Sequence, residues 1–258
     1  MKVAILVSGE PRFCRELTVF QSRLVGFDSA DWFVSVWSRS QSRSDYWRSQ
    51  GSELVAPGWL NPTVEWAQER IQLNLQGGHR LAHLELVDQS QLAFPHSGRD
   101  DGVTNVANGW KMFWGNWRTD QMRQAHEHST GQPYDLVLKI RPDLMLHNTL
   151  DLARCAEILG HDDRAVIMPD NTRAGYGHAV SDLMAVGRGA AMSCYADCLH
   201  SIEQYIAQGK IFHPETILGD YLKSQQMGIR TAGFRIDIRQ LGQRISETEY
   251  ISDFGSWA

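Results

Sequence analysis

Arg141-Pro142-Asp143 is where residue type and spacing point most directly to chemistry. Leu136 to Ile140 is a short apolar run, interrupted by Lys139 and rich in β-formers, and it follows a Gly131-Gln132-Pro133 turn. That pattern predicts a mostly buried strand. Pro142 lacks a backbone donor and biases Arg141 towards an extended conformation, so the ladder should break there. Asp143 then stands just past the carboxyl end of a central strand, where open α/β sheets place their ligand crevices. A carboxylate on such a rim suits a divalent metal or a sugar hydroxyl. The alternative use of the same residues is an Arg–Asp pair that closes a turn.

A second candidate lies at the start of the chain. Val3 to Ser8 predicts a strand that empties into Gly9-Glu10-Pro11-Arg12 and leads into a helix over Phe13 to Leu24. A buried first strand ending in a Gly-containing turn is how nucleotide-binding α/β domains commonly begin. Gly9 permits close backbone approach and Arg12 suits a phosphate, although the stretch is neither G-x-G-x-x-G nor a P-loop. A purely structural turn is the other reading. Further along, Asp182 to Gly187 predicts a strand with an acidic residue at its mouth. His213-Pro214-Glu215 opens a helix, with Pro214 suited to its first position and Glu215 to its positive dipole end.

Other chemistries find less support. His126 and His128 are two apart on a predicted helix and diverge, while His79 and His83 show i, i+4 spacing without a third ligand. A zinc hydrolase is therefore disfavoured. No Gly-any-Ser-any-Gly elbow is present. Cys14, Cys155, Cys194 and Cys198 show no metal-type pairing and read as reduced packing thiols.

The elements that must position these residues alternate between strand and helix. Asp31 to Trp37 predicts a second strand, followed by a polar loop from Ser38 to Ser44. Thr63 to Leu75 reads as a helix, His83 to Val87 as a strand, and Ser90 to Gly109 as a long surface excursion of the kind that often forms lids. Trp110, Phe113, Trp114 and Trp117 recur at helical spacing and mark the buried face of a helix from Asn108, its expected N-cap, to His128. A helix over Asn148 to Leu159 and a strand over Ala165 to Met168 follow. The strand ends at Pro169-Asp170-Asn171, before a glycine-rich loop, Ala174 to His178. A helix over Ala190 to Ala207, one from His213 to about Gln226, and one or two strands within Ile229 to Ile238 complete the series.

With 258 residues the chain suffices for one large α/β domain or two small ones. A net charge of −5 with scattered basic residues argues against nucleic acid as the main partner. Nine tryptophans exceed what a core needs, so some should line a groove. Met1 is followed at once by a strand-like run, without the features of a signal peptide. No apolar run has the length of a transmembrane segment. A cytoplasmic protein is expected, with peripheral membrane association left open.

Four pieces in order carry a family resemblance: Val3 to Arg12, Asp31 to Trp37, Tyr134 to Leu144 with its Arg-Pro-Asp, and Ser181 to Gly187. Together they resemble glycosyltransferase-like proteins of the nucleotide-sugar (GT-A) type, including bacterial and viral ones of polysaccharide and lipopolysaccharide biosynthesis. The pieces span most of the chain, and the ordered set is more specific than any one of them.

The resemblance implies a single GT-A-like α/β domain with a Rossmann-like central mixed sheet flanked by helices. Residues 1–146 would bind a nucleotide-sugar donor, and residues 147–258 would hold a glycan acceptor. It also implies cofactor contacts from Ser8, Gly9, Arg12, Arg141 and Asp143. In such enzymes an Asp-any-Asp motif grips a divalent metal, Mn²⁺ or Mg²⁺, that bridges the donor diphosphate. Here Arg141-Pro142-Asp143 keeps only the last carboxylate, so Asp143 and His213 become the metal candidates, with Arg141 as an alternative counter-charge. His178 is a further candidate for metal or phosphate. Asp182 is the first candidate for the base that takes the acceptor proton, and Asp170 and Glu215 are others. A nucleotidyltransferase and a catalytically silent nucleotide- or glycan-binding module are the alternatives.

Overall fold

The computed structural model describes residues 1–9, 21–38, 63–72, 75, 77–93, 106–142, 144–169, 180–232, 236–240 and 243–244. In chain order the strands are β1 (Lys2–Gly9), β2 (Leu24–Val25), β3 (Ser29–Trp37), β4 (His79–Val87), β5 (Leu136–Ile140), β6 (Leu144–Leu146), β7 (Leu150–Asp151), β8 (Ala165–Pro169), β9 (Ala185–Gly187), β10 (Gly228–Ala232), β11 (Ile236–Gln240) and β12 (Gln243–Arg244). The helices are α1 (Val64–Gln72), α2 (Val106–Thr130), α3 (Leu152–Leu159), α4 (Gly189–Ala196), α5 (Ile202–Ala207) and α6 (Pro214–Ser224).

Seven strands form one sheet in the order β10-β8-β9-β5-β1-β3-β4. All run parallel except β9, which lies antiparallel between β5 and β8. The fold is therefore α/β, with a mostly parallel central sheet flanked by helices. Small pairings flank it: β11 joins β6 and β12, and β2 joins β7.

The run Val3-Ala4-Ile5-Leu6-Val7 is buried throughout, because β1 is covered on both faces. One face of the sheet packs Val3, Ile5, Val7, Leu136, Leu138 and Ile140 with α1 and α3, through Ile71, Leu152 and Cys155. The other packs Ala4, Leu6, Phe33, Val137 and Val166 with α2, α4 and α6.

Several boundaries differ from those expected, each for a local reason. Leu24 ends no helix; it sits in β2, paired in register with Leu150. Asn148 stays outside its helix, because Asp151 caps α3 by accepting from the Arg154 amide at 3.1 Å. Asn108 lies inside the first turn of α2, which begins two residues earlier, and so does not cap it. The helix expected over Ala190 to Ala207 is broken by a 3₁₀ stretch at Asp197–Ser201. There the Ser201 hydroxyl donates to the Cys198 carbonyl at 2.8 Å and competes with the backbone.

The tryptophan stripe of α2 is also not its buried seam. Phe113 is buried, but Trp110, Trp114 and Trp117 are only partly so. Gly109, Gly115, Asn116 and Thr119 are among the residues turned inward. A Cβ on Gly115 would lie 2.9 Å from the Ser8 Cβ, so α2 crosses β1 closely and its indoles are displaced to the flanks.

Candidate functional site

β1 leads out to β3 and β4 on one side of the sheet, and β5 returns on its other side. The switch point is therefore at the carboxyl ends of β1 and β5, where α/β sheets open a crevice. Gly9 ends β1 with φ +135°, a backbone conformation that side chains rarely adopt. A Cβ there would lie 3.5 Å from Pro142 Cδ. The end of β1 and the Arg141-Pro142 step after β5 thus touch. Asp143 itself, with Arg12, Asp170 and His178, lies outside the described residues.

Ser8 stands beside this point, but its hydroxyl turns into the protein. It donates to Asn116 Oδ1 at 3.0 Å within the layer between β1 and α2. The Asn116 Nδ2 is buried without a hydrogen-bond partner among the described residues.

The other candidates converge on the same rim. β9 runs antiparallel, so the segment from Val180 to Met184 that enters it lies at the carboxyl ends of its parallel neighbours. Asp182 occupies the bend of that segment rather than the strand, and it is buried. α6 leads into parallel β10, so its first turn, with Glu215, lies at this end too. The Val180 amide donates to the Glu215 carbonyl at 3.2 Å and stitches the two segments together.

Glu215 is the electrostatic centre of the group. Burial raises its pKa, and the charge of Asp182 raises it further; a backbone hydrogen bond, His213 and Arg141 pull it back without cancelling the rise. His213 Nε2 is 3.4 Å from Glu215 Oε2, and His213 Nδ1 pairs with Thr216 Oγ1 at 2.8 Å. Tyr195, fully buried on α4, also senses Asp182: burial first and that carboxylate second push its phenol well above its usual range. Arg141, Asp182 and His213 therefore all lie within electrostatic reach of Glu215, although up to 74 positions separate them in the chain.

α2 completes the rim. A Cβ on Gly109 would lie 2.2 Å from Phe212 Cε1 and 3.2 Å from Pro214 Cγ. The N-terminal turns of α2 and α6 are therefore packed against each other, and both bring the positive ends of their dipoles to this side of the sheet.

As for a divalent ion, no group of three His, Cys, Asp or Glu side chains among the described residues could hold one. His213 Nδ1 pairs with Thr216 Oγ1, and its Nε2 faces the Glu215 carboxylate. His79 and His83, on β4, are spaced by roughly 13 Å of strand, and His79 Nδ1 pairs with Trp32 Nε1. Cys155, Cys194 and Cys198 are free thiols, and burial pushes Cys155 and Cys198 up to about 12. No described helix is long and apolar enough to cross a membrane.

Nothing in the sequence pattern assigns Lys139, Tyr195 or Asn116 a function. The available signal was Lys139 itself, a cation inside an apolar strand. It is 1% exposed, and its ammonium donates to the Asp182 carbonyl. Compared with models of known families and with curated proteins, the chain matches none.

Proposed function

We propose that the chain is a glycosyltransferase of GT-A type, moving a sugar from a nucleotide-sugar donor to a hydroxyl of a glycan acceptor. The observation that carries this reading is the convergence of Arg141, Asp182, His213 and Glu215 at the rim where β1 and β5 diverge. The mixed sheet, with a single antiparallel strand beside β5, supports it.

In this reading the donor diphosphate lies against Gly9, where a side chain would obstruct it, and within reach of Arg141. Preorganised positive charge suits the charge that develops on a leaving diphosphate. The packed N-terminal turns of α2 and α6 add dipoles of the same sign. As the bond from the anomeric carbon to the phosphate oxygen breaks, its electron pair leaves with the diphosphate. The acceptor oxygen forms the new bond and gives its proton to a carboxylate. Glu215 suits that task better than Asp182, because it is the more exposed of the two and its raised pKa makes it a stronger base near neutrality.

The test is turnover with a panel of sugar nucleotides and glycan acceptors, run with Mn²⁺, with Mg²⁺ and with chelator. Free nucleoside diphosphate is the expected product. Pyrophosphate release would mark a nucleotidyltransferase, and nucleotide binding without turnover a silent module. Asp143→Ala should abolish transfer while leaving the melting temperature unchanged. Wild-type rates in that variant would remove Asp143 from the donor site.

A further inference from the structure

We infer that Lys139 is a positioning residue: from inside the sheet its ammonium grips the Asp182 carbonyl and fixes the bend that carries Asp182 to Glu215. Its kinetic consequence rests on the transferase reading above; its structural consequence does not.

The case begins with where the lysine sits. β5 is buried at every position, and Lys139 lies between Leu6 of β1 and Ala185 of β9 in register. Its neighbours on that face include Ala4, Leu6, Val137 and Ala185. An ammonium costs several kcal/mol to bury (order of magnitude), whereas a methionine of similar length would fill the same space without that penalty. Packing alone therefore does not ask for a lysine at this position.

What the lysine reaches explains the choice. Val180 to Met184 belongs to no helix or strand, so its backbone depends on isolated polar contacts. The Val180 amide goes to the Glu215 carbonyl, the Leu183 amide to Ser181 Oγ at 3.4 Å, and the Asp182 carbonyl to Lys139. The first ties the bend to α6 and the third ties it to β5. Lys139 thus anchors to the buried centre of the sheet the segment that sets the Asp182 charge within electrostatic reach of Glu215.

The experiment is native-state hydrogen exchange, with donor kinetics, on Lys139→Met and Lys139→Gln. Amides of Val180 to Met184 and of the first turn of α6 should exchange at least about 10-fold faster, with β1 and β5 amides unchanged. Transfer should slow by about 10- to 100-fold in kcat, with the donor KM within about threefold of wild type, as expected for misplaced catalytic groups. Exchange that is unchanged in the bend would overturn the inference, as would uniform acceleration across the sheet or failure of both variants to fold. If the wild-type protein transfers no sugar from any donor, the transferase reading falls, while the exchange contrast still decides what Lys139 does.

Discussion

The two ends of the central sheet carry polar clusters of opposite character. At the amino ends, Asp31 of β3 is 3% exposed yet fully answered. It accepts from Arg80 Nε and Nη2 at 2.7 and 2.8 Å and from the Tyr134 hydroxyl at 2.6 Å, with Lys2 Nζ at 3.4 Å. Burial alone would raise its pKa, but those bonds and charges outweigh burial and hold it below the usual aspartate range. At the carboxyl ends, Glu215 meets burial and a second carboxylate, and its pKa rises. One cluster spends its charges on the fold. The other leaves a carboxylate poised to take a proton, which is the pattern that functional sites show.

The largest effect should come from breaking the poised end. Glu215→Gln removes the proposed base while keeping shape and hydrogen-bonding capacity, so kcat should fall by about 10²- to 10⁴-fold, with donor KM nearly unchanged. Steady-state kinetics on the active donor decide it. A raised KM at constant kcat would assign Glu215 to binding.

Breaking the answered end should instead cost stability. Asp31→Ala leaves the Tyr134 hydroxyl with His126 Nδ1 alone, at 3.1 Å, and removes the partner of two cations. Arg80 is largely exposed and can turn to water, which lowers the cost. We expect a loss of about 2–3 kcal/mol, roughly 5–10 °C in Tm, with activity per folded molecule retained. Because Asp31 is depressed in the folded state, its contribution is present above the unfolded pKa and is lost as pH falls through the folded one. The gap between wild type and variant should therefore close in acid, as thermal melts across pH would show. An inactive variant with unchanged Tm would invert the comparison.

Much of this contrast was legible in the sequence, for reasons that can be traced. β1 and β5 are short apolar runs closed by glycine or proline, β3 is closed by a polar loop from Ser38, and strand ends read from such punctuation lie within two residues of those observed. Arg141 and Asp182 stand out beside strand ends, and His213 and Glu215 at a helix start marked by Pro214. Their meeting was not legible. It depends on β9 running antiparallel and on the Val180–Glu215 bond, both set by tertiary packing. The α2 stripe misled because periodicity counts bulk. Here a close crossing over β1 selects Gly109 and Gly115 for the inner face, and small residues leave no hydrophobic signal.

That crossing offers a way to disturb the poised end without touching its charges. Gly109→Ala would drive a methyl group into the ring of Phe212, which is fully buried. Overpacking of this kind costs about 1–3 kcal/mol, and alanine's better helix propensity returns about 1. A net loss on the order of 1 kcal/mol is expected by denaturant titration. Transfer should slow with it, because the start of α2 props the turn that bears Glu215. Stability lost with kcat intact would show that the rim tolerates this shift.

The smallest effect tests the contrast most directly. A carboxylate with a raised folded-state pKa binds its proton more tightly in the native protein than in the unfolded chain. Stability is then undiminished below the unfolded pKa and falls as pH climbs through the folded one, the reverse of Asp31. Glu215→Gln removes that penalty, so its Tm should exceed wild type by roughly 1–3 °C at pH 8 and match it near pH 4. The same pH series on Asp31→Ala should fan out in the opposite direction, because the two carboxylates are shifted oppositely. Parallel curves for the two variants would mean that both ends of the sheet hold their charges alike, and Glu215 would lose its physical claim to be the base.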